Sequence, residues 1–293
     1  MSLFAVVVGG GTMGAGIAQL LVETGVDVTV CEVTTEAAEA ARNRVDEGLR
    51  RSAARSGAAS TKTVGRLSAT CGLDDVGPVD LVVEAVPEIV SLKRDVLRRA
   101  LIAFPEALLA TNTSSLSIDV LARALAEPSA LVGMHFFNPV PSSSLIEIVV
   151  GGATDPGVVE RARTWADHMG KESIEVRDSP GFATSRLGLA IGLEAMRMLQ
   201  DGVASAADID RAMVLGYKYP IGPLELTDRV GLDVRLAIAR HLESELGPRF
   251  APPELLVDLV GDGHLGRKTG QGFYRWQEGR RVTALPPQER ADA

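Results

Sequence analysis

The sequence predicts an α/β protein in which an N-terminal doubly wound sheet is followed by an all-α domain. Three observations carry this. Short β-branched runs alternate with longer helical patterns through the first half of the chain. A glycine-rich turn joins the first such run to the first helix. Beyond Ser179-Pro180-Gly181 the apolar spacing changes to three or four residues and stays there (Leu187, Ile191, Ala195, Met198, Leu199).

Taken in order, Phe4 to Val8 is an unbroken apolar run, as a strand covered on both faces requires. Thr12 to Thr24 has helical spacing, Asp27 to Glu32 is a second strand, and Thr35 to Arg55 a second helix. Gly57 to Thr63 is small and polar, a loop or irregular arm. Strands are expected at Asp80 to Glu84, Ala107 to Ala110 and Leu131 to Met134, with helices at Ile89 to Ile102 and Ile118 to Ala126 between them. This alternation implies a parallel sheet. Leu145 to Val150, a helix over Asp155 to Met169 and a short strand at Ser173 to Val176 complete the first domain, residues 1–179. In residues 180–293, Ile209 to Leu215, Gly222 to Leu226, Val234 to Leu246 and Pro253 to Val260 read as helical or turn-linked. No strand is expected there, and the polar tail after Trp276 reads as a loosely held end.

Composition narrows the function. With 293 residues, 46% of them hydrophobic, the chain can bury full cores without metal or disulfide staples. Its formal net charge of −8, from 38 acids against 30 bases, argues against a protein that coats nucleic-acid phosphates. Two cysteines, Cys31 and Cys71, are too few for a disulfide framework or a Cys-rich metal site and fit a reducing cytoplasm. No apolar run reaches the roughly 18 to 20 residues that a membrane-spanning helix needs. The N-terminus lacks a basic region before its apolar stretch, so it reads as a strand and not as a signal peptide.

Gly9-Gly10-Gly11-Thr12-Met13-Gly14 matches G-x-G-x-x-G at Gly9, Gly11 and Gly14, between a strand and a helix. Gly9 allows the tight turn, Gly11 lets backbone approach a pyrophosphate, and Gly14 lets the helix pack closely. The helix start at Thr12 and Met13 offers free N–H groups to phosphate. Glu32 ends the second strand 23 residues after Gly9, where a carboxylate can accept from ribose hydroxyls and repel a 2′-phosphate. These residues point to a Rossmann-type domain that binds NAD in preference to NADP. A second signal is His135 in Met134-His135-Phe136-Phe137-Asn138-Pro139, with Glu147 twelve residues on in an apolar strand. A carboxylate there is costly unless paired. A histidine from the preceding strand is a natural partner, which the carboxylate orients for proton transfer.

The chain resembles the 3-hydroxyacyl-CoA dehydrogenase family, including 3-hydroxybutyryl-CoA dehydrogenases, over nearly its whole length. The matching stretches are Gly9 to Ala18, Val83 to Glu88, Asn112 to Ile118, His135 to Pro139 with Glu147, Asp178 to Phe182, Pro220 to Leu226 and Gly266 to Tyr274. The resemblance implies NAD-dependent oxidation of a 3-hydroxyacyl thioester, or the reverse reduction. It makes His135 the general base, Glu147 its orienting partner, Ser114 a donor to the substrate oxygen and Asn138 a positioning residue. Glu88, Lys93 and Asn112 fall at cofactor-side positions, and the helical domain closes the cleft and forms a homodimer. Three departures stand out. Ser185 replaces a family asparagine on the substrate side, Ser143-Ser144 replaces a stretch that usually holds a lysine, and the arm around Gly57 to Leu67 is short. Coenzyme A and carrier-protein thioesters both stay open, as do polar acyl groups. A non-catalytic relative that keeps the fold is the reading from a different class.

Overall fold

The computed structural model describes residues 2–56 and 64–284, and the expected loop at Gly57 to Thr63 lies outside them. The chain divides into two compact units, Met1–Phe182 and Ala183–Ala293.

The first unit is built on an eight-stranded sheet: β1 (Phe4–Val8), β2 (Asp27–Cys31), β3 (Leu67–Thr70), β4 (Leu81–Glu84), β5 (Leu108–Thr111), β6 (Leu131–Phe136), β7 (Leu145–Val150) and β8 (Glu172–Arg177). Its spatial order is β3-β2-β1-β4-β5-β6-β7-β8. Because strand side chains alternate, β1 feeds two cores. Ala5 and Val7 pack under α1 (Thr12–Glu23), α2 (Thr35–Ser56) and α5 (Pro156–His168). Val6 and Val8 pack on the other face with Leu97 and Ala100 of α3 (Val90–Ala103) and Ile118 and Leu121 of α4 (Ile118–Ala122). Helices on both faces bury β4 and all of β1 beyond Phe4, which is why those strands carry apolar runs.

The all-parallel expectation needs a correction. The first six strands are parallel, but β7 runs antiparallel to β6, and β8 is parallel to β7. Residues 137–144 are too few for the crossover that a parallel partner requires, so the chain folds straight back. The edge strand β3 was also unexpected: Leu-Ser-Ala-Thr is short and only half-buried, with no hydrophobic alternation to mark it.

The second unit comprises α6 (Thr184–Gln200), α7 (Ala206–Gly216), α8 (Pro223–Val230), α9 (Leu232–Leu246) and α10 (Glu254–Gly261) around one apolar cluster. Asp210 of α7 accepts from the backbone N–H groups of Leu224 and Glu225, capping α8 from another element. The expectation of a strand-free domain also needs correction. Tyr274–Gln277 and Arg280–Ala284 form an antiparallel hairpin, β9 and β10. Glu278 and Gly279 both have positive φ (48° and 74°), the backbone that a two-residue hairpin turn matching strand twist requires. Arginine-rich strands hid it. Among the described residues, no helix is long and apolar enough to cross a membrane.

Candidate active site and cofactor cleft

The chain turns back from edge strand β3 to β4 on the far side of β1, which leaves a topological switch point between β1 and β4. Ligands of open α/β sheets bind at such points, outside the carboxyl ends of the strands. A cleft of about 720 Å³ opens there, lined by Gly9, Gly11, Thr12, Met13, Cys31, Glu32, Ala85 and Val86 among others. Gly9 takes φ +97°, and a Cβ on Gly14 would sit 1.8 Å from the Gly9 carbonyl oxygen, so neither position admits a side chain. Gly11 has nothing within 4 Å of a built Cβ, which leaves its backbone open to the cleft. No side chain caps α1 at Gly11, so the helix's first N–H groups are available to an anion. The loop therefore fits a dinucleotide's pyrophosphate.

Glu32 follows β2 and lines this cleft, with Oε1 accepting from Gly10 N at 2.7 Å. The guanidinium of Arg44, on α2, donates to the Gly10 carbonyl. Sequence spacing hid this base, because nine residues of helix separate it from the strand end.

A second group of residues lies at the ends of β4 and β5. Lys93 is fully buried and binds both oxygens of the equally buried Glu84, at 2.8 and 3.1 Å. It also lies 3.3 Å from Glu88. Its ammonium faces these carboxylates inside the protein, where a buried charge must find its partners. Glu88 Oε1 accepts from Thr113 Oγ1 at 2.5 Å, Ser114 N at 2.9 Å and Ser115 N at 3.2 Å. It therefore holds the turn that presents the exposed Ser114 hydroxyl. Burial pushes the Glu84 carboxyl above the usual range, against the pull of Lys93, Thr111 and Val86. At Glu88 burial acts in the same direction, but Lys93, Thr113 and Ser114 outweigh it and hold the carboxyl below that range. The two acids beside one ammonium are driven apart. Neither Glu84 nor Thr111, which donates to Glu84 at 2.6 Å, was singled out from sequence. Glu84 carries the same signal as Glu147, an acid in an apolar strand, in Leu81-Val82-Val83-Glu84.

His135 and Glu147 are direct cross-strand partners on β6 and β7. Residues opposite each other share a face, and Nδ1 of His135 lies 2.7 Å from Glu147 Oε2. Glu147 is fully buried and His135 nearly so, flanked by the rings of Phe137 and Phe182 at 4.6 and 5.7 Å. The pairing uses Nδ1 and leaves Nε2 as the nitrogen for proton exchange. Asn112 Oδ1 accepts from Phe136 N at 3.0 Å, locking the end of β5 to the end of β6. Asn138 is exposed just beyond β6, in a cis bond to Pro139. The sheet thus brings the glycine loop, Glu32, Glu88, Asn112, Ser114 and His135 to one edge. Ser185 lies in the other unit, half-buried in the first turn of α6.

Sequence comparison agrees with this geometry. Residues 5–179 match the 3-hydroxyacyl-CoA dehydrogenase NAD binding domain, and residues 181–276 match the C-terminal domain of the same family. The chain belongs to the 3-hydroxyacyl-CoA dehydrogenase family. A 3-hydroxybutyryl-CoA dehydrogenase of Mycobacterium tuberculosis is 38% identical over 277 residues, 92% of this chain and 97% of that protein. The mitochondrial hydroxyacyl-coenzyme A dehydrogenase of Sus scrofa is 37% identical over 283 residues, 92% of this chain and 90% of its own. The crystal structure of (S)-3-hydroxybutyryl-CoA dehydrogenase from Ralstonia eutropha superposes with a TM-score of 0.88 at 34% identity, covering 95% of this chain and all of that one. As a member of this family of oxidoreductases, the chain uses a nicotinamide cofactor.

Proposed function

We propose that this protein is an NAD-dependent 3-hydroxyacyl-CoA dehydrogenase of the cytoplasm, interconverting a 3-hydroxyacyl thioester and its 3-oxo form. The observation that carries the reading is the His135–Glu147 pair, held at the same sheet edge as the Ser114 turn and the glycine loop. Its two free cysteines suit a reducing compartment.

In the oxidation, His135 Nε2 takes the proton of the C3 hydroxyl. A nicotinamide cofactor held by the glycine loop and Glu32 would supply the hydride acceptor for C3, and the hydride donor in the reduction. Glu147 accepts the Nδ1–H, which sets the tautomer, and its charge offsets that of the imidazolium as it forms. Ser114 donates its hydroxyl to the substrate oxygen, and Glu88 keeps that serine in place through its backbone N–H. Asn112, by holding β5 to β6, keeps Ser114 and His135 in fixed relation, while Asn138 helps to position the substrate. Lys93 acts on this constellation through Glu84 and Glu88. Gly9, Gly11, Thr12, Met13, Gly14 and Glu32 bind the dinucleotide, Glu32 taking the ribose hydroxyls and setting NAD above NADP. Residues 180–293, with Ser185 on the substrate side, take the acyl portion and form a homodimer.

The test is reduction of acetoacetyl-CoA with NADH, followed by loss of NADH absorbance, against the free acid and a carrier-protein ester. Turnover on the CoA ester in preference to the other two supports the reading. Preference for the carrier ester redirects it, and NADH binding without turnover on any of the three overturns it.

A further inference from the structure

The connection from β6 to β7, residues 137–144, begins just after His135 and ends just before Glu147. It carries Asn138 and Phe137, whose ring lies 4.6 Å from the His135 imidazole. Its conformation therefore governs how the end of β6 meets the start of β7. The loop has little means of holding itself. Pro139 and Pro141 have no N–H to donate. Among the described residues its internal backbone bonds run from Ser142 and Ser143 to the Pro139 carbonyl alone.

The carbonyls of Val140, Pro141 and Ser143 find their donor outside the loop. Lys171 Nζ donates to Val140 O and Pro141 O at 3.1 Å each, and to Ser143 O at 2.5 Å. Three bonds use every N–H that an ammonium has. Lys171 is 8% exposed and forms no ion pair among the described residues. A buried cation without a counter-charge is costly, so the carbonyls must compensate it, and its charge strengthens each bond in return. Burial pulls its proton affinity below the usual lysine range, against the pull of Glu23.

The lysine stands on a fixed base. Its own N–H donates to Ala166 near the end of α5, behind Gly170 at φ +66°. The next residue, Glu172, donates to the Ser144 carbonyl and opens β8 opposite Leu145 of β7. On the other side of the loop, Val140 is buried against α1, where a Cβ on Gly16 would come 3.0 Å from Val140 Cβ. The loop thus lies between α1 and the start of β8, with one ammonium drawing three of its carbonyls to a point.

We infer that Lys171 is a positioning residue for the dehydrogenase reaction: it clamps the β6–β7 loop, and so fixes Phe137 against the His135 ring, Asn138 beside it, and the imidazole in register with Glu147. This rests on the dehydrogenase reading above. Lys171 acts through the loop and takes no part in proton or hydride transfer.

The experiment follows reduction of acetoacetyl-CoA by NADH in the wild type, K171M and K171R, with NADH affinity from fluorescence titration and amide hydrogen exchange from mass spectrometry. Methionine fills the space of the lysine stem but donates nothing. In K171M kcat should fall by roughly tenfold to a hundredfold, the scale at which a misplacement of about 1 Å costs rate, while NADH affinity holds. Exchange at residues 142–145 should quicken while β1 and α1 keep their protection. K171R, which restores a cation with several donors, should recover part of both. Wild-type kcat in K171M overturns the inference, as does exchange that quickens across β1 and α1 together with a loss of NADH affinity, which would make the lysine a general packing element. Should K171M not fold, K171Q keeps two donors without the charge and gives the same comparison. A wild type that reduces no thioester refutes the dehydrogenase reading instead, and the exchange measurement then still decides whether the clamp exists.

Discussion

His135 and Glu147 face each other across an antiparallel strand pair, which lets the carboxylate act on the reaction through the imidazole it touches. Removing the base should therefore lower kcat by roughly 10² to 10⁴-fold in H135Q, the range typical of general acid–base groups, with NADH affinity nearly intact. E147Q should also lower kcat, and the double variant should be little worse than H135Q alone. Multiplicative losses in steady-state kinetics would show two independent groups. At the other end of the cleft, the proposed role of Glu32 in cofactor choice predicts that E32A narrows the ratio of kcat/KM for NAD over NADP, chiefly by weakening NAD. Equal use of both nucleotides by the wild type would refute that role. These residues were legible because each breaks a local rule: an acid in an apolar strand, or glycines where a helix begins. Arg44 was not, since a basic residue in an amphipathic helix looks the same whether it is solvated or gripping a loop. The ion pairs of Lys93 with Glu84 and Glu88 were not legible either, since only three-dimensional burial brings the three together.

Among the elements, the strands and helices that bury an unbroken or periodic apolar face were readable, and those whose existence depends on a distant partner were not. Edge strand β3 exists because β2 offers it a parallel edge, and β7 reverses because its connection is short. The β9–β10 hairpin depends on Asp228 at the end of α8, which accepts from Phe273 N at 2.8 Å, Tyr274 N at 2.9 Å and Trp276 Nε1 at 2.7 Å. Gly272 is required beside it, because a Cβ there would lie 2.2 Å from Asp228 Oδ1. D228A would leave three buried donors without an acceptor, and should cost roughly 3 to 5 kcal/mol in urea unfolding. Loss of less than about 1 kcal/mol would mean that the hairpin is not tied down there. Burial also pushes the Asp228 carboxyl up to about 6, against 3.8 when free. The folded state then binds more protons than the unfolded state between those values, so this group's contribution to stability falls as pH rises from about 4 to about 6. D228N removes the titration, and the difference in melting temperature between the two proteins should change across that interval and level off above it.

At the scale of the whole molecule, the second unit carries apolar surface that its own core does not use. Sequence periodicity suggested faces through Leu187, Ile191, Met198, Ile209 and Met213. The structure sorts these, placing Ile209 in the core and leaving Leu187 63% exposed. Leu215 and Tyr217 near the end of α7, Val230 at the end of α8 and Val234 on α9 are exposed as well. Single exposed apolar residues need no explanation, but exposed apolar side chains on four helices of one unit are what a subunit contact would cover. An unlike partner would leave each copy of the patch dependent on a second protein, whereas a two-fold pairing lets the same patch cover itself. We expect a homodimer through residues beyond about 180, visible as twice the chain mass in light scattering at micromolar concentration. Charged substitutions at Leu215 and Val234 together should shift that mass toward the monomer while circular dichroism keeps the helical signal. A chain that is monomeric at every concentration, or a dimer indifferent to the double substitution, would assign these side chains to another partner.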